Sequence, residues 1–312
     1  MSNQSPTPPT VKQVCITEAA AGQRIDNYLL RYLKGVPKPY IYKIIRQGQV
    51  RVNKKRIDVH YKLILNDEVR IPPVWVADPN EAIIPTAQHE STLDNSVLFE
   101  NEDLMVINKP AGWAVHGGSG VSLGIIEAFR QLKQPKFLEL VHRIDKGTSG
   151  CLMLAKNRST LLDLQRQLKD GLMRKSYLTI VQGSWLNQKK VTAPLLKTLL
   201  KSGDRWVRVD PAGKHAETHF KVLTRLKGVT LLEASPITGR THQIRVHAAY
   251  LGCPIVGDEK YGDRTFNREM TRLGVKGLCL HANRLEFNLP GQGKRVVFEA
   301  PNKLPLKLFS EL

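Results

Sequence analysis

Residues 137–155 read FLELVHRIDKGTSGCLMLA. An apolar run from Phe137 to Val141 gives way to a polar, glycine-containing block, His142 to Gly150, and a second apolar run follows from Leu152 to Ala155. Short apolar runs bounded by turn-forming residues read as strands. The stretch therefore predicts two strands bracketing a loop, and the loop carries Asp145 between the cations Arg143 and Lys146. Positive charge close by favours the ionised form of a carboxylate. An ionised carboxylate can attack a sugar carbon and hold a covalent intermediate. A structural reading fits these residues equally well, with Asp145 capping a turn formed with Thr148 and Ser149.

The same strand grammar continues on both sides. Val97–Phe99 and Leu104–Ile107 flank Glu100-Asn101-Glu102-Asp103 as a hairpin, and Tyr177–Val181, Thr218–Leu223, Val229–Ala234, Arg284–Phe287 and Arg295–Glu299 are further strand candidates. Helical spacing marks Leu123–Lys133, Thr160–Lys169 and Thr241–Leu251. Many strands with a few interspersed helices predict an α+β domain with a mixed, mostly antiparallel sheet over 96–312.

A different composition precedes it. Residues 22–73 hold 12 Lys and Arg against 4 Asp and Glu, whereas 74–95 hold no Lys or Arg and four acids. The switch, with Pro79 and Pro85, predicts a small basic domain at 22–73 and a linker at 74–95. In the basic unit Ile25, Tyr28, Leu29, Tyr32 and Leu33 share one helix face, Ile41, Ile44 and Ile45 another, and Gly48 ends the second helix. Gln49–Ile57 reads as a hairpin turning near Asn53, and Leu63–Ile71 closes a small sheet around Asn66-Asp67. Residues 1–21 read as a flexible tail with one possible short strand, Val14–Ile16.

The whole chain carries 47 Lys and Arg against 28 Asp and Glu, a net +19. Such an excess attracts polyanions, because neutralised phosphates release their counterions. The four cysteines lack C-x-x-C or zinc-finger spacing and read as reduced and structural. No signal peptide or membrane span of about 18 apolar residues is expected.

Polar residues and glycines collect in two more places, Asn108–Gly112 and Gly239–His247. In the second, Arg240 and Arg245 can offer an arginine fork to Asp145 or bind phosphate. His142, His242 and His247 invite a metal reading, but no acidic or cysteine partner stands at ligand spacing. A serine hydrolase through Ser149 lacks the G-x-S-x-G elbow.

The blocks HRIDKGTSG (142–150), NKPAG (108–112), GRTHQIRVH (239–247), GDEKYG (257–262) and His281-Ala282 resemble, in content and order, those of the RluA-type pseudouridine synthases. GQRIDNYLLRYL followed by IYKIIRQGQVRVNKKRI resembles the S4 RNA-binding domain. The resemblance implies the pseudouridine synthase fold, a long mixed, mostly antiparallel sheet crossed by a catalytic cleft, plus a small S4-like α/β domain. It makes Asp145 the catalytic aspartate and Arg245 its arginine partner. Tyr177 becomes the tyrosine that stacks on the target uracil, and Arg143 the arginine filling the space of a flipped base. His142, Lys109 and Arg240 are further candidate RNA contacts, as are Arg51, Lys54, Lys55 and Arg56 of the small domain. KGVPK (34–38), RVNKKRI (51–57) and VHGGSG (115–120) point within the family to a member acting on large-subunit (23S) ribosomal RNA, with a sibling acting on other large-subunit uridines as the alternative.

The reaction breaks C1′–N1, turns the uracil and joins C5 to C1′. Nothing is oxidised or consumed, so no cofactor and no metal are expected. The implied partner is large-subunit rRNA or an assembling large subunit, and the protein is expected to be a cytoplasmic monomer. A non-catalytic RNA-binding or ribosome-assembly protein would share the charge but leave the Asp, Tyr and Arg set unexplained. A sugar hydrolase would want a second carboxylate beside Asp145.

Overall fold

The computed structural model describes residues 10–33, 36–74, 85–117, 123–185, 187, 189–199, 205–302 and 304–310. The expected tail up to Pro9, residues 75–84 of the linker, and parts of KGVPK and VHGGSG lie outside them. The chain divides into two compact units, one up to Ile83 and one from Ile84.

The first unit runs β1 (Lys12–Cys15), α1 (Ile25–Tyr32), α2 (Lys38–Arg46), β2 (Arg51–Val52) and β3 (Glu68–Ile71). Its antiparallel sheet has the order β1-β3-β2. Ile25 and Leu29 of α1 and Ile41, Ile44 and Ile45 of α2 are buried in one core with Val50, Leu63, Val69 and Ile71. Tyr32, expected on the apolar face, is exposed at the end of α1. The expected tail is shorter than 21 residues: β1 pairs with β3, and Ile16 is buried in the core. Asn53 and Lys54 have φ of 50° and 67°, and Val52 and Lys55 exchange backbone hydrogen bonds across them. That is the two-residue turn whose twist suits a hairpin.

The second unit opens with α3 (Ala87–Asp94), inside the segment read as linker, and Leu93 of this helix is fully buried. There follow β4 (Val97–Glu100), β5 (Leu104–Lys109), α4 (Ile125–Lys133), β6 (Glu139–Leu140), β7 (Ser149–Ala155), α5 (Arg158–Lys169), β8 (Arg174–Gln182), β9 (Lys189–Thr192), β10 (Leu195–Leu199) and β11 (Arg205–Val209). The unit ends with β12 (Glu217–Leu226), β13 (Val229–Pro236), α6 (Gln243–Tyr250), α7 (Arg264–Arg272), β14 (Leu280–Asn288), β15 (Arg295–Glu299) and α8 (Leu306–Ser310). Among the described residues one sheet holds ten strands, in the order β4-β5-β7-β14-β8-β13-β12-β9, with β15 beside β14 and β6 beside β7. Only the β7–β14 pair in it is parallel. β10 and β11 form a separate hairpin.

Strand alternation explains the layering. Met105 and Ile107 of β5 and Leu152 and Leu154 of β7 face α4, whose Ile125, Ile126 and Phe129 are buried against them. Leu104 and Val106, with Cys151 and Met153, face the other way onto Leu161 and Leu164 of α5. A strand buried on both faces reads as a continuous apolar run, which is why Cys151–Ala155 stands out in the sequence. Each fully buried side chain such as Phe129 stabilises the fold by roughly 1.5–3 kcal/mol.

Candidate active site

The loop from β6 to β7 holds Asp145 between two buried anchors, Ile144 and Thr148. Gly112 N–H donates to Lys146 O at 2.9 Å, tying the Asn108–Gly112 turn to this loop. Lys109 reinforces the tie from inside. Its fully buried ammonium donates to the carbonyls of Pro110 (2.8 Å), Trp113 (2.7 Å) and Lys146 (3.2 Å). Burial pushes its pKa down to about 7, opposed by the charge of Asp145, and three acceptors match the three N–H of an ammonium. The expectation of Lys109 as an RNA contact is therefore corrected, because a side chain with no exposed surface positions the loop instead. Gly150, with φ of 106°, lets β7 run against β14; a side chain there would collide with the Ala282 backbone.

Arg245 projects from α6 and reaches Asp145 Oδ2 through Nη1 at 3.0 Å. Its other two donors, Nε and Nη2, form a fork on Asp258 at 2.8 Å each. The Asp258 side chain is fully buried and also accepts from the backbone N–H of Lys260 and Tyr261. Burial opposes both charges. The mutual hydrogen bonds outweigh it, lowering the carboxyl's pKa and raising the guanidinium's. Asp258 therefore fixes the arginine so that Nη1 points to Asp145. The turn-capping reading of Asp145 does not hold for its carboxylate: Thr148 N–H bonds the Asp145 backbone carbonyl, and the side chain turns to Arg245.

His242 caps α6 with φ of 53° and sits 3.9 Å from Asp145 through Nε2. Its Nδ1 is 2.7 Å from Tyr261 Oη, which accepts from Val207 N–H. The phenol hydrogen is then free to go to Nδ1, which leaves the imidazole hydrogen on Nε2. Burial holds His242 near a pKa of about 4, against the charge of Asp145. His247 is wholly internal. Its Nε2 donates to Ala193 O at 3.0 Å, and Nδ1 takes the Thr218 hydroxyl at 2.9 Å. His142 accepts from Met153 N–H at 3.3 Å and is held neutral, to a pKa of about 3, by burial first and Lys175 second. The three histidines thus have separate duties, two of them in holding backbone.

Asp145, Arg245 and Tyr177 line one pocket of about 240 Å³. Tyr177 enters it from β8, half-buried, and burial, then Asp145, raises its pKa, so it stays a phenol at neutral pH. His142, Arg143 and Arg240 also line the pocket. Arg143 and Arg240 are exposed. Arg240 binds the His215 carbonyl at 2.9 Å, and its predicted fork to Asp145 is not made. Arg51, Lys54, Lys55 and Arg56 are exposed in the first unit. Sequence reasoning missed Asp258 and Lys175, another pocket residue. A signal existed for the first in GDEKYG, where an acid is followed by turn-forming glycine and tyrosine, but nothing local shows its distant partner.

Residues 103–250 match the family described as RNA pseudouridylate synthase, and residues 23–69 match the S4 domain. The chain is 53% identical over 304 residues to "Ribosomal large subunit pseudouridine synthase C" of Escherichia coli (strain K12), covering 96% of this chain and 95% of that protein. It is 51% identical over 294 residues to the protein of the same name from Haemophilus influenzae, covering 93% and 91%. Among solved structures, human RNA Pseudouridylate Synthase Domain Containing 4 superposes with a TM-score of 0.56 at 28% identity, over 70% of this chain and 92% of that one. Human RNA Pseudouridylate Synthase Domain Containing 1, at 24% identity and a TM-score of 0.57, covers 68% and 85% and shares the fold.

Proposed function

The chain belongs to the RNA pseudouridylate synthase family, and from that premise we propose that it converts specific uridines of large-subunit ribosomal RNA to pseudouridine in the pocket around Asp145. It is an RNA pseudouridine synthase, an isomerase that also carries an S4 domain. The observation that carries the site assignment is the arginine relay. Buried Asp258 grips two donors of Arg245, and the third goes to one oxygen of Asp145 in a pocket shared with Tyr177.

The relay supports the following division of roles. The target uridine is unstacked into the pocket, at a cost of a few kcal/mol that stacking and edge contacts offset. Tyr177 packs against the uracil face. Arg245 aims Asp145 through the hydrogen bond from Nη1. Oδ1 of Asp145 has no hydrogen-bond partner among the described residues, which leaves it for the ribose. From there it either attacks C1′ or removes the C2′ proton; both routes begin with the same ionised carboxylate. C1′–N1 breaks, C5 bonds to C1′, the C5 proton leaves and N1 gains one, so the formula is unchanged. The S4 domain adds phosphate contacts that position the RNA. Such a substrate places the work in the cytoplasm, with ribosomes or their precursors.

The test is pseudouridine mapping of large-subunit rRNA from cells lacking the gene, complemented with wild type or Asp145→Asn. Discrete sites should vanish and return only with wild type, and the purified variant should keep RNA affinity within about twofold while losing turnover by at least ~10⁴. A map that the variant restores would remove Asp145 from the chemistry.

A further inference from the structure

Of the cations in the pocket that the relay does not use, Arg143 and Arg240 are exposed and Lys175 is not. The pocket lining contains Arg143, Lys175, Arg240 and Arg245 but one carboxylate, Asp145. Arg245 is occupied by Asp145 and Asp258, and His142 and His242 are held neutral. Lys175 enters from β8 two residues before Tyr177, so the two side chains share a face of the strand. It is half-buried, and burial alone depresses its pKa. Among the described residues it makes no hydrogen bond or ion pair. Lysines taken from water are ordinarily paired. Lys109 in the same domain shows the usual solution, three carbonyl acceptors.

A second observation comes from the loop facing it. Gly239 needs no glycine for its own sake: its φ is not in the left-handed region, and a side chain there would meet only Lys175 Nζ, at 3.9 Å. Neither backbone conformation nor protein packing requires the residue. The space over its α-carbon, beside an unpaired ammonium, is open on the pocket side.

We infer that Lys175 and Gly239 form a phosphate subsite, in which the ammonium takes a non-bridging oxygen of a phosphodiester flanking the flipped uridine and the sugar–phosphate chain lies against Gly239. The inference rests on the pocket being the seat of RNA modification. An ammonium suits this as a compact point charge, while the arginine fork is reserved for the carboxylates. A phosphodiester also returns to Lys175 the counter-charge that burial denies it.

The experiment uses the full chain and an unmodified large-subunit rRNA transcript, with single-turnover pseudouridine formation followed against enzyme concentration at several salt concentrations. Lys175→Met keeps the apolar stem. It should raise the half-saturating concentration about tenfold and make the log–log salt dependence shallower by about one, with the saturated rate within about threefold. Lys175→Arg should restore most of both. Gly239→Ala should raise half-saturation about threefold with an unchanged melting temperature. In a short RNA containing a mapped target, a neutral methylphosphonate beside that uridine should weaken wild type but add no further loss in Lys175→Met. Half-saturation and salt dependence unchanged in Lys175→Met overturn the subsite and leave the functional reading standing. So does a loss confined to the saturated rate that Lys175→Arg does not rescue, which makes Lys175 a support of the strand. A wild type that forms no pseudouridine on the transcript overturns the functional reading and the subsite with it.

Discussion

At the scale of single residues, the site depends on one carboxylate holding an arginine for another. Asp258→Asn keeps size and one acceptor but removes the buried charge, leaving Arg245 free to turn wholly toward Asp145 or away from it. Breaking a buried pair by removing one partner costs about 3–5 kcal/mol. The expected outcome is a loss of roughly that stability in denaturant titration, and a fall in the saturated rate of about 100-fold, the size of one lost transition-state donor, with RNA affinity retained. A variant that turns over normally would mean Arg245 needs no clamp. His142 gives a pH prediction. Its folded-state pKa, about 3, lies below the ordinary histidine value of 6.5. The folded protein therefore binds fewer protons than the unfolded chain between these values, and stability rises with pH across that window. Its contribution is present above pH 6.5 and is lost as pH falls toward 3, on the order of 3 kcal/mol by pH 4. His142→Gln keeps an acceptor for Met153 N–H without titrating. Melting temperatures from pH 7 to 4 should fall less steeply for it than for wild type, and parallel curves would exclude this histidine as a source of acid sensitivity.

At the scale of elements, Lys109 shows where sequence reading stops. Its position at the end of β5, before Pro110-Ala111-Gly112, marks it as part of a site, and the side chain is indeed 3.2 Å from the carbonyl of Lys146, next to Asp145. Whether a lysine faces RNA or the interior depends on which segment folds over it, here the loop after β6, and that information is not local. The same limit hid Asp258 and Lys175. Strands with strong alternation or double burial, β5, β7, β8 and β13, were legible because local pattern and burial agree. β9, β10, β11 and α7 were not: Lys189–Thr192 and Arg205–Val209 mix charge with apolar residues, and Arg264–Arg272 contributes one buried residue, Met270. Asp145, Arg245 and Tyr177 were assigned through the family's motifs, since the loop alone allowed a structural turn. Lys109→Met tests the internal tie. It leaves three buried carbonyls without their donor, so stability should drop by about 2–4 kcal/mol. Hydrogen exchange should quicken at Gly112 and Thr148, whose N–H groups bond within these two turns, ahead of the strand interiors. Equal protection in variant and wild type would show that the tie bears no load.

At the scale of the molecule, a net charge of +19 is shared between a domain that holds the chemistry and a smaller one whose basic residues stand on a hairpin. That hairpin pays a conformational penalty for its charge: Lys54 occupies φ of 67°, where Gly or Asn would sit more easily. A lysine kept in a left-handed position is better explained by a partner outside the fold than by the fold, and RNA phosphate is the partner the S4 match favours. The two contributions can be set against each other in one substitution. Lys54→Asn suits the turn, so the full-length variant should be as stable as wild type or more stable by up to about 1 kcal/mol. It also removes one positive charge proposed to meet phosphate, so affinity for the rRNA transcript should fall and the log–log salt dependence should become shallower by about 0.7–0.9. Replacing Lys55 as well should roughly double the change in slope. The rate at saturating RNA should stay within about twofold, because Lys54 and Lys55 lie outside the unit that contains Asp145, Arg245 and Tyr177. Asp145→Asn should give the opposite division, affinity kept and rate lost. If Lys54→Asn gains stability and loses no affinity, the hairpin charge serves something other than this RNA; if it loses rate at saturation, the small domain takes part in forming the active site as well as in binding.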